Sequence, residues 1–389
     1  MVNMKISNDI IHIGANDKKI KLFESQYLLE KGMSYNSYII KDEKNVIIDT
    51  IDENVTQIWL DKLDKALNGE KPDYLIVSHM EPDHAYNIET IAKKYPDMKI
   101  VGNQTTFNIL SNFFTIDVSS RKVIVKEGEV LDIGKHKLQF FMAPMVHWPE
   151  VMVTYEQYEK ILFSADAFGK FGEIDDGEWD CEARRYYFGI VGKYGTQVQA
   201  LLKKAQSLDI KMICPLHGPI LKENLEHYIN KYKIWSSYEP EEKGVFIACS
   251  SIYGNTLRVA NKIAEIIKEK CNMKVVVGDL TREDWAEAIE DAFRYSHLIV
   301  AASSYNAGLF PPMQQFLERL QDRNYQKRKV GIIENGSWAP SAARCMKNML
   351  EKMKEIEIVE PIVTIRSTMK ENDVPKLQEL AKKLVEDTN

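Results

Sequence analysis

Within one short stretch the chain reads His79-Met80-Glu81-Pro82-Asp83-His84, four side chains of metal-ligating type. They follow Tyr74-Leu75-Ile76-Val77, which reads as a buried strand. Alternation along an extended chain puts His79, Glu81 and Asp83 on one side, with His84 added at the turn and an amphipathic helix expected from Ala85. Donors of this type are costly to bury unless something positive binds them, so the pattern points to a metal. Three more donors stand just beyond short apolar runs: His147 before Trp148, Asp166 in Phe163-Ser164-Ala165-Asp166, and His217 in Cys214-Pro215-Leu216-His217-Gly218. Seven donors exceed what one four-coordinate ion takes, which leads to two ions sharing a carboxylate, with Asp166 as the natural bridge.

A second constellation lies in the other half. The strand-like Val245–Cys249 runs into Ser251-Ile252-Tyr253-Gly254-Asn255-Thr256, which opens a helix. Backbone N–H groups at a helix N-terminus, helped by the Ser251, Asn255 and Thr256 side chains, make a phosphate cradle without a lysine. No Walker lysine is present, so a mononucleotide such as FMN fits better than a triphosphate. Two further loops, one carrying Ser304, Tyr305, Asn306 and Gly308 and one carrying Gly336, Ser337 and Trp338, follow later strands. Ligands bind at such C-terminal strand ends in open α/β sheets, and aromatic planes with backbone amides suit a flavin ring.

The elements that must position these groups differ between the halves. Before the polar run Ser236–Gly244, short strands such as 34–40, 46–49, 138–141, 151–154 and 161–163 alternate with only intermittent helices, which favours a sheet sandwich flanked by helices. After it, five apolar strands (245–249, 274–277, 297–301, 329–333, 356–364) are each followed by an amphipathic helix, which implies a parallel sheet covered on both faces. The boundary is placed at 243/244. The acidic segment Gly172–Glu182 reads as a solvated loop, with a lid or docking role as the alternative.

The donor pattern resembles the metallo-β-lactamase superfamily, whose hydrolases carry H-x-H-x-D-H. Glu81 stands where the second histidine would be, and exchanging an imidazole for a carboxylate favours iron over a zinc hydrolase site. The three loops of the second half resemble flavodoxin. Together the two halves resemble the flavodiiron proteins along essentially the whole chain: a metallo-β-lactamase-like αββα sandwich over 1–243, then a flavodoxin-like doubly wound parallel five-stranded sheet over 244–389. The resemblance implies an oxidoreductase with two non-haem irons and FMN. His79, Glu81 and His147 would bind one iron, Asp83, His84 and His217 the other, and Asp166 would bridge. It further implies reduction of O2 to water, of NO to N2O, or both; rubredoxin or a similar small carrier as electron donor; and a head-to-tail homodimer, or a tetramer, that brings one subunit's FMN to the other's metals. The 50 residues between Asp166 and His217 are fewer than the resemblance implies, so the loop over the metals is expected to be trimmed. Tyr27 and Trp148 are candidates for hydrogen bonding to bound substrate, or simply for packing. The competing readings are a zinc hydrolase fused to a flavodoxin-like domain, and a non-catalytic FMN carrier.

Composition agrees with these readings and excludes others. The 389 residues carry 51 Lys+Arg and 57 Asp+Glu, a net charge of -6 divided as -7 over 1–243 and +1 over 244–389, which disfavours nucleic acid and anionic membranes as partners. Five scattered cysteines without a C-x-x-C pair fit a reducing cytoplasm, and suggest that no rubredoxin module is fused to the chain. No apolar run approaches the roughly 18 residues of a membrane span.

Overall fold

A computed structural model describes residues 4–174, 177–271 and 273–386. The chain divides into two compact units, one of Met1–Tyr187 with Thr196–Lys233 and one of Phe188–Gly195 with Ile234–Asn389. The short run 188–195 thus groups with the second unit, and so does the stretch 234–243 that precedes the expected boundary.

The first unit is built on two sheets. One runs in the order Met4–Lys5, Ile10–His12, Tyr38–Ile40, Val46–Ile48, Tyr74–Ile76, Lys99–Gly102, Lys122–Ile124. The other runs Val130–Asp132, Lys137–Met142, Met152–Glu156, Ile161–Phe163, Met212–Cys214. The strands 38–40, 46–48 and 161–163 are buried at every residue, as continuous apolar runs must be when both faces are covered. The sheets meet face to face: the Tyr38 and Phe163 rings lie 5.2 Å apart, edge to face. The single strand expected over 34–40 is broken at Asn36, whose side-chain Nδ2 donates to Pro215 O and Gly218 O (both 2.9 Å) and so ties this strand to the His217 loop. Helices Thr56–Leu67, Ile88–Lys94, Gln104–Phe113, Asp180–Tyr186, Gly195–Ala205 and Leu225–Ser236 accompany the sheets.

The second unit is a sheet in the order Lys274–Asp279, Glu242–Ser250, Tyr295–Tyr305, Arg328–Asn335, Ile356–Ile365, all parallel, with the short Gly308–Leu309 added antiparallel on Tyr295–Tyr305. Odd and even residues of its first strand face opposite layers. Ile247 packs with Val259 and Ile263 of helix Asn255–Cys271 and with Leu377 and Leu380 of helix Val374–Val385, while Phe246 meets Phe316 of helix Pro311–Asp322. The strand order reverses between Glu242–Ser250 and Tyr295–Tyr305, which creates a crevice at their C-terminal ends.

The acidic segment is less solvated than expected. Glu173 bonds Asn16 and Lys18 (3.1 and 3.0 Å), Trp179 is buried, and Asp180 opens a helix while pairing with His227 and Lys231 (2.6 and 3.0 Å). Asp175 and Asp176 lie outside the described residues.

Candidate functional site

Three of the seven donors owe their place to strand register. Phe163 pairs with Cys214, and Asp166 and His217 each stand three residues beyond that pair. Ile76 pairs with Ile48 and Val101, and His79 stands three residues beyond it. Parallel strands that end together therefore deliver donors to one edge. His147 comes from the loop between Lys137–Met142 and Met152–Glu156. A side chain at Gly169 would put its Cβ 2.9 Å from Asp166 O and 3.3 Å from His217 Cβ, so glycine permits those two segments to approach.

The expected extended run through Asp83 is corrected. Chain direction changes at Pro82, which occupies the first helical position that its fixed φ suits, and the helix Pro82–Ala85 carries Asp83 and His84. Glu81 keeps an extended backbone (φ -60°, ψ 135°), so His79 and Glu81 turn toward one centre and Asp83 and His84 toward another.

In the first set, His147 Nε2 lies 2.9 Å from Glu81 Oε2 and 3.1 Å from Asp166 Oδ2, and His79 Nε2 lies 3.3 Å from Asp166 Oδ2 and 3.5 Å from Glu81 Oε2. In the second, His84 Nε2 and His217 Nε2 are 3.0 Å apart and each is 3.3 Å from Asp83 Oδ2. Asp166 Oδ1 is 3.3 Å from His84 Nε2 and 3.8 Å from His217 Nε2. Asp166 thus offers one oxygen to each set.

These groups crowd together without bonding one another well. His79 Nε2, Glu81 Oε2, both Asp83 oxygens and Asp166 Oδ1 are buried with no hydrogen-bond partner, the condition that a metal relieves. Donors about 2.1 Å from a shared ion stand roughly 3.0 Å apart at octahedral and 3.4 Å at tetrahedral angles, which the spacings match. The residues fit a pair of ions. His217 Nδ1 donates to Ser34 O at 2.8 Å, which fixes the tautomer that leaves Nε2 bare for a metal.

Electrostatics carry the same signature. Burial favours neutral imidazoles, yet Asp166 and Glu81 overcome it and push His147 up to about 10, and Asp166 and Glu81 likewise hold His79 well above its ordinary value. His217 is raised against burial by Asp83 and Asp166. Burial would raise Glu81 and Asp166, but the histidines hold both carboxyls well below the usual range. Without cations His79, His147 and His217 hold protons that metal ions would replace.

The rings of Phe23, Tyr35 and Tyr186 surround His217 at 5.5, 5.6 and 5.5 Å and exclude water from that side. Tyr186 is one of the residues that sequence reasoning missed. Its hydroxyl is buried without a partner, and burial together with Asp166, Glu81 and Asp83 holds it protonated, a neutral donor near the two donor sets. No motif marks it. Of the two second-layer candidates, Tyr27 packs at 5.4 Å on Phe171, and Trp148 is half-buried.

In the second unit, a cavity of about 310 Å³ gathers Ser251, Ile252, Tyr253, Asn255, Thr256, Ser304, Tyr305, Asn306, Gly336, Ser337 and Trp338 at the strand-order reversal. Gly254 takes a left-handed φ of 84° just before helix Asn255–Cys271, so the loop bends back over the helix N-terminus. Ser251 Oγ is buried and unpartnered, an orphan that a phosphate oxygen would satisfy. The Arg258 guanidinium donates to Asn255 Oδ1 at 2.5 Å, placing a cation at the cradle that sequence reasoning overlooked. Tyr253 and Trp338 are each 88% exposed, open ring faces beside the cavity. Ser304 Oγ instead accepts from Ser341 N (2.8 Å) and Ala342 N (3.2 Å), so it caps helix Ala342–Leu350, and Gly308 sits in the short antiparallel strand. The residues fit FMN, whose phosphate the Ser251–Thr256 loop would hold.

The fold and these two sites define a metallo-β-lactamase-like domain followed by a flavodoxin-like one. Residues 33–218 match the ODP family beta lactamase. The chain is 30% identical to an uncharacterized protein of Methanocaldococcus jannaschii, with 98% of each covered. It is 29% identical to the anaerobic nitric oxide reductase flavorubredoxin of Vibrio vulnificus over 87% of this chain and 70% of that protein. Among solved structures, a histidine variant of the flavo di-iron protein from Thermotoga maritima superposes with a TM-score of 0.89 at 28% identity, covering 100% of this chain and 98% of that one. The rubredoxin oxygen:oxidoreductase of Desulfovibrio gigas shares the fold, with a TM-score of 0.92 at 23% identity over 99% and 98% of the two chains. The chain belongs to the flavodiiron protein family.

Proposed function

We propose that this flavodiiron oxidoreductase, with a non-haem diiron site on residues 1–243 and FMN on residues 244–389, delivers electrons to a diatomic gas. Four electrons and four protons reduce O2 to two waters; two electrons and two protons reduce two NO to N2O and water. The observation that carries the reading is the Asp166 carboxylate, with one oxygen in each donor set. It would hold two ions close enough for a diatomic molecule to engage both. Bound iron supplies gas binding and one-electron chemistry, and FMN supplies an electron store.

The chain's own residues do the rest. His79, Glu81 and His147 hold one position, and Asp83, His84 and His217 the other. Three carboxylates offset much of the charge of two irons, and their hard oxygens favour iron over zinc. The Tyr186 hydroxyl offers a proton or hydrogen bond toward the site, and the rings around His217 keep bulk water away. The relative named as a nitric oxide reductase supports NO as a substrate, and O2 follows from the same demand for electrons at paired irons.

Rubredoxin or a similar small carrier is the proposed donor, and a head-to-tail homodimer, or a tetramer of such dimers, the proposed assembly. Among the described residues Cys214, Cys249 and Cys345 are free thiols, which fits a cytoplasmic setting, and no helix is long and apolar enough to cross a membrane. With reduced rubredoxin as donor, gas electrodes and headspace analysis should record consumption of O2, or of NO with one N2O per two NO. Consumption of neither gas by protein loaded with iron and FMN would contradict the reading. Sedimentation should give an even-numbered oligomer, and a fully active monomer would refute the assembly.

A further inference from the structure

The segment that carries His79 and Glu81 has already left its sheet. The strand Tyr74–Ile76 ends first, and Val77 N makes a last ladder-like bond to Val101 O at 2.9 Å. Three contacts then hold residues 78–80 extended. Ser78 N donates to Asp49 Oδ1 at 2.7 Å, Met152 N donates to Ser78 O at 3.0 Å, and Met80 N donates to Glu150 Oε1 at 2.7 Å. Asp49 follows a strand of the larger sheet, while Glu150 and Met152 stand at the start of a strand of the smaller one. The ligand-bearing segment is therefore slung between the two sheets.

Glu150 is the unusual member of this set. It is 1% exposed, and its second oxygen, Oε2, has no hydrogen-bond partner. A carboxylate buried with half its acceptors unused destabilises a fold, so stability does not account for it. Its position does. Met80 separates His79 from Glu81, and Glu150 lies three residues after His147.

We infer that Glu150 is the positioning residue of the first donor set: its bond to Met80 N locks His79 and Glu81 to His147, so that three of that set's four donors move as one unit. The second set is held independently. His84 O accepts from Thr50 Oγ1 (2.6 Å) and Thr50 N (3.0 Å), Asp83 shares its helix, and His217 Nδ1 is anchored on Ser34 O. Loss of the Glu150 contact should therefore empty one iron position and spare the other. The inference rests on the diiron reading.

The test is anaerobic reconstitution of wild type, Glu150→Ala and Glu150→Gln with 57Fe(II). Iron per chain and Mössbauer and EPR spectra are read, with FMN per chain and circular dichroism as controls on folding. Wild type should hold two spin-coupled irons. Glu150→Ala should hold one uncoupled iron and a full complement of FMN. Glu150→Gln, whose amide oxygen can still accept from Met80 N, should recover two. Two coupled irons in Glu150→Ala, equal loss from both positions in a folded variant, or a Glu150→Gln protein as deficient as Glu150→Ala would each overturn the inference. If Glu150→Ala does not fold, Glu150→Asp, one methylene short of Met80 N, is held to the same expected and contrary results. Wild type that binds fewer than two irons contradicts the diiron reading itself and takes this inference with it.

Discussion

Metal loading should depend steeply on pH, because the first donor set holds protons that an ion must displace. Carboxylate neighbours lift His147 from an ordinary 6.5 to about 10, while Glu81 and Asp166 are already ionised and release none. A shift of one unit is worth 1.36 kcal/mol, so removing the His147 proton costs ~4 kcal/mol at pH 7 and ~1.4 kcal/mol at pH 9. Affinity for Fe(II) should therefore rise about tenfold per pH unit for each proton displaced. His79 and His217 are also raised, so between one and three protons are expected. In the metal-free protein the sign is opposite: His147 contributes stability that is complete below about pH 6.5 and is lost as pH rises through about 10. Anaerobic Fe(II) titration against a competing chelator at pH 7, 8 and 9, corrected for the chelator's own protonation, reads the slope directly. An affinity that is flat across this range, or falls with pH, would mean that metal binding displaces no histidine proton.

Replacing Tyr186 by Phe removes a buried hydroxyl that has no partner, so thermal stability should be unchanged or higher while turnover falls about tenfold; unchanged turnover places the hydroxyl outside the chemistry. Arg258→Ala should weaken FMN binding about 10- to 100-fold by fluorescence titration, as expected when a charge-assisted contact worth about 1.5–3 kcal/mol is lost. Gly336→Ala would bring a Cβ to 2.8 Å from Pro340 Cα, so FMN content should drop and the second unit should lose about 1–3 kcal/mol in calorimetry. Arg328 is 3% exposed and donates to the carbonyls of Tyr238, Phe293, Tyr295, Gln326 and Lys327; Arg328→Met should cost about 3–5 kcal/mol in urea unfolding.

The donors were legible because metal chemistry restricts them to a few residue types and parallel strands release them at matching distances past the last ladder pair. The five strand–helix repeats were legible because both-face burial writes continuous apolar runs. What escaped had no local signal. Asp83 looked like a continuation of the extended run, but Pro82 starts the helix there, three residues earlier than Ala85 suggested. Tyr186 and Glu150 look ordinary in sequence, since their meaning lies in an unpartnered oxygen and in contacts that form only on folding. The acidic run read as solvated because its anchors, Asn16, Lys18, His227 and Lys231, are distant in the chain. The grouping of 188–195 with the second unit is likewise a fact of tertiary contact rather than composition.

A diiron site supplied with electrons by FMN should reduce a diatomic gas completely. Fully reduced protein holds four electrons per chain, two on FMN and two on iron. Mixed anaerobically with limiting O2 in a stopped-flow instrument, with peroxide assayed afterwards, it should consume one O2 per chain, reoxidise both centres in a single turnover and release no H2O2. Slow flavin reoxidation with stoichiometric peroxide, or a site filled by two zinc ions that leaves O2 and NO untouched, would contradict it.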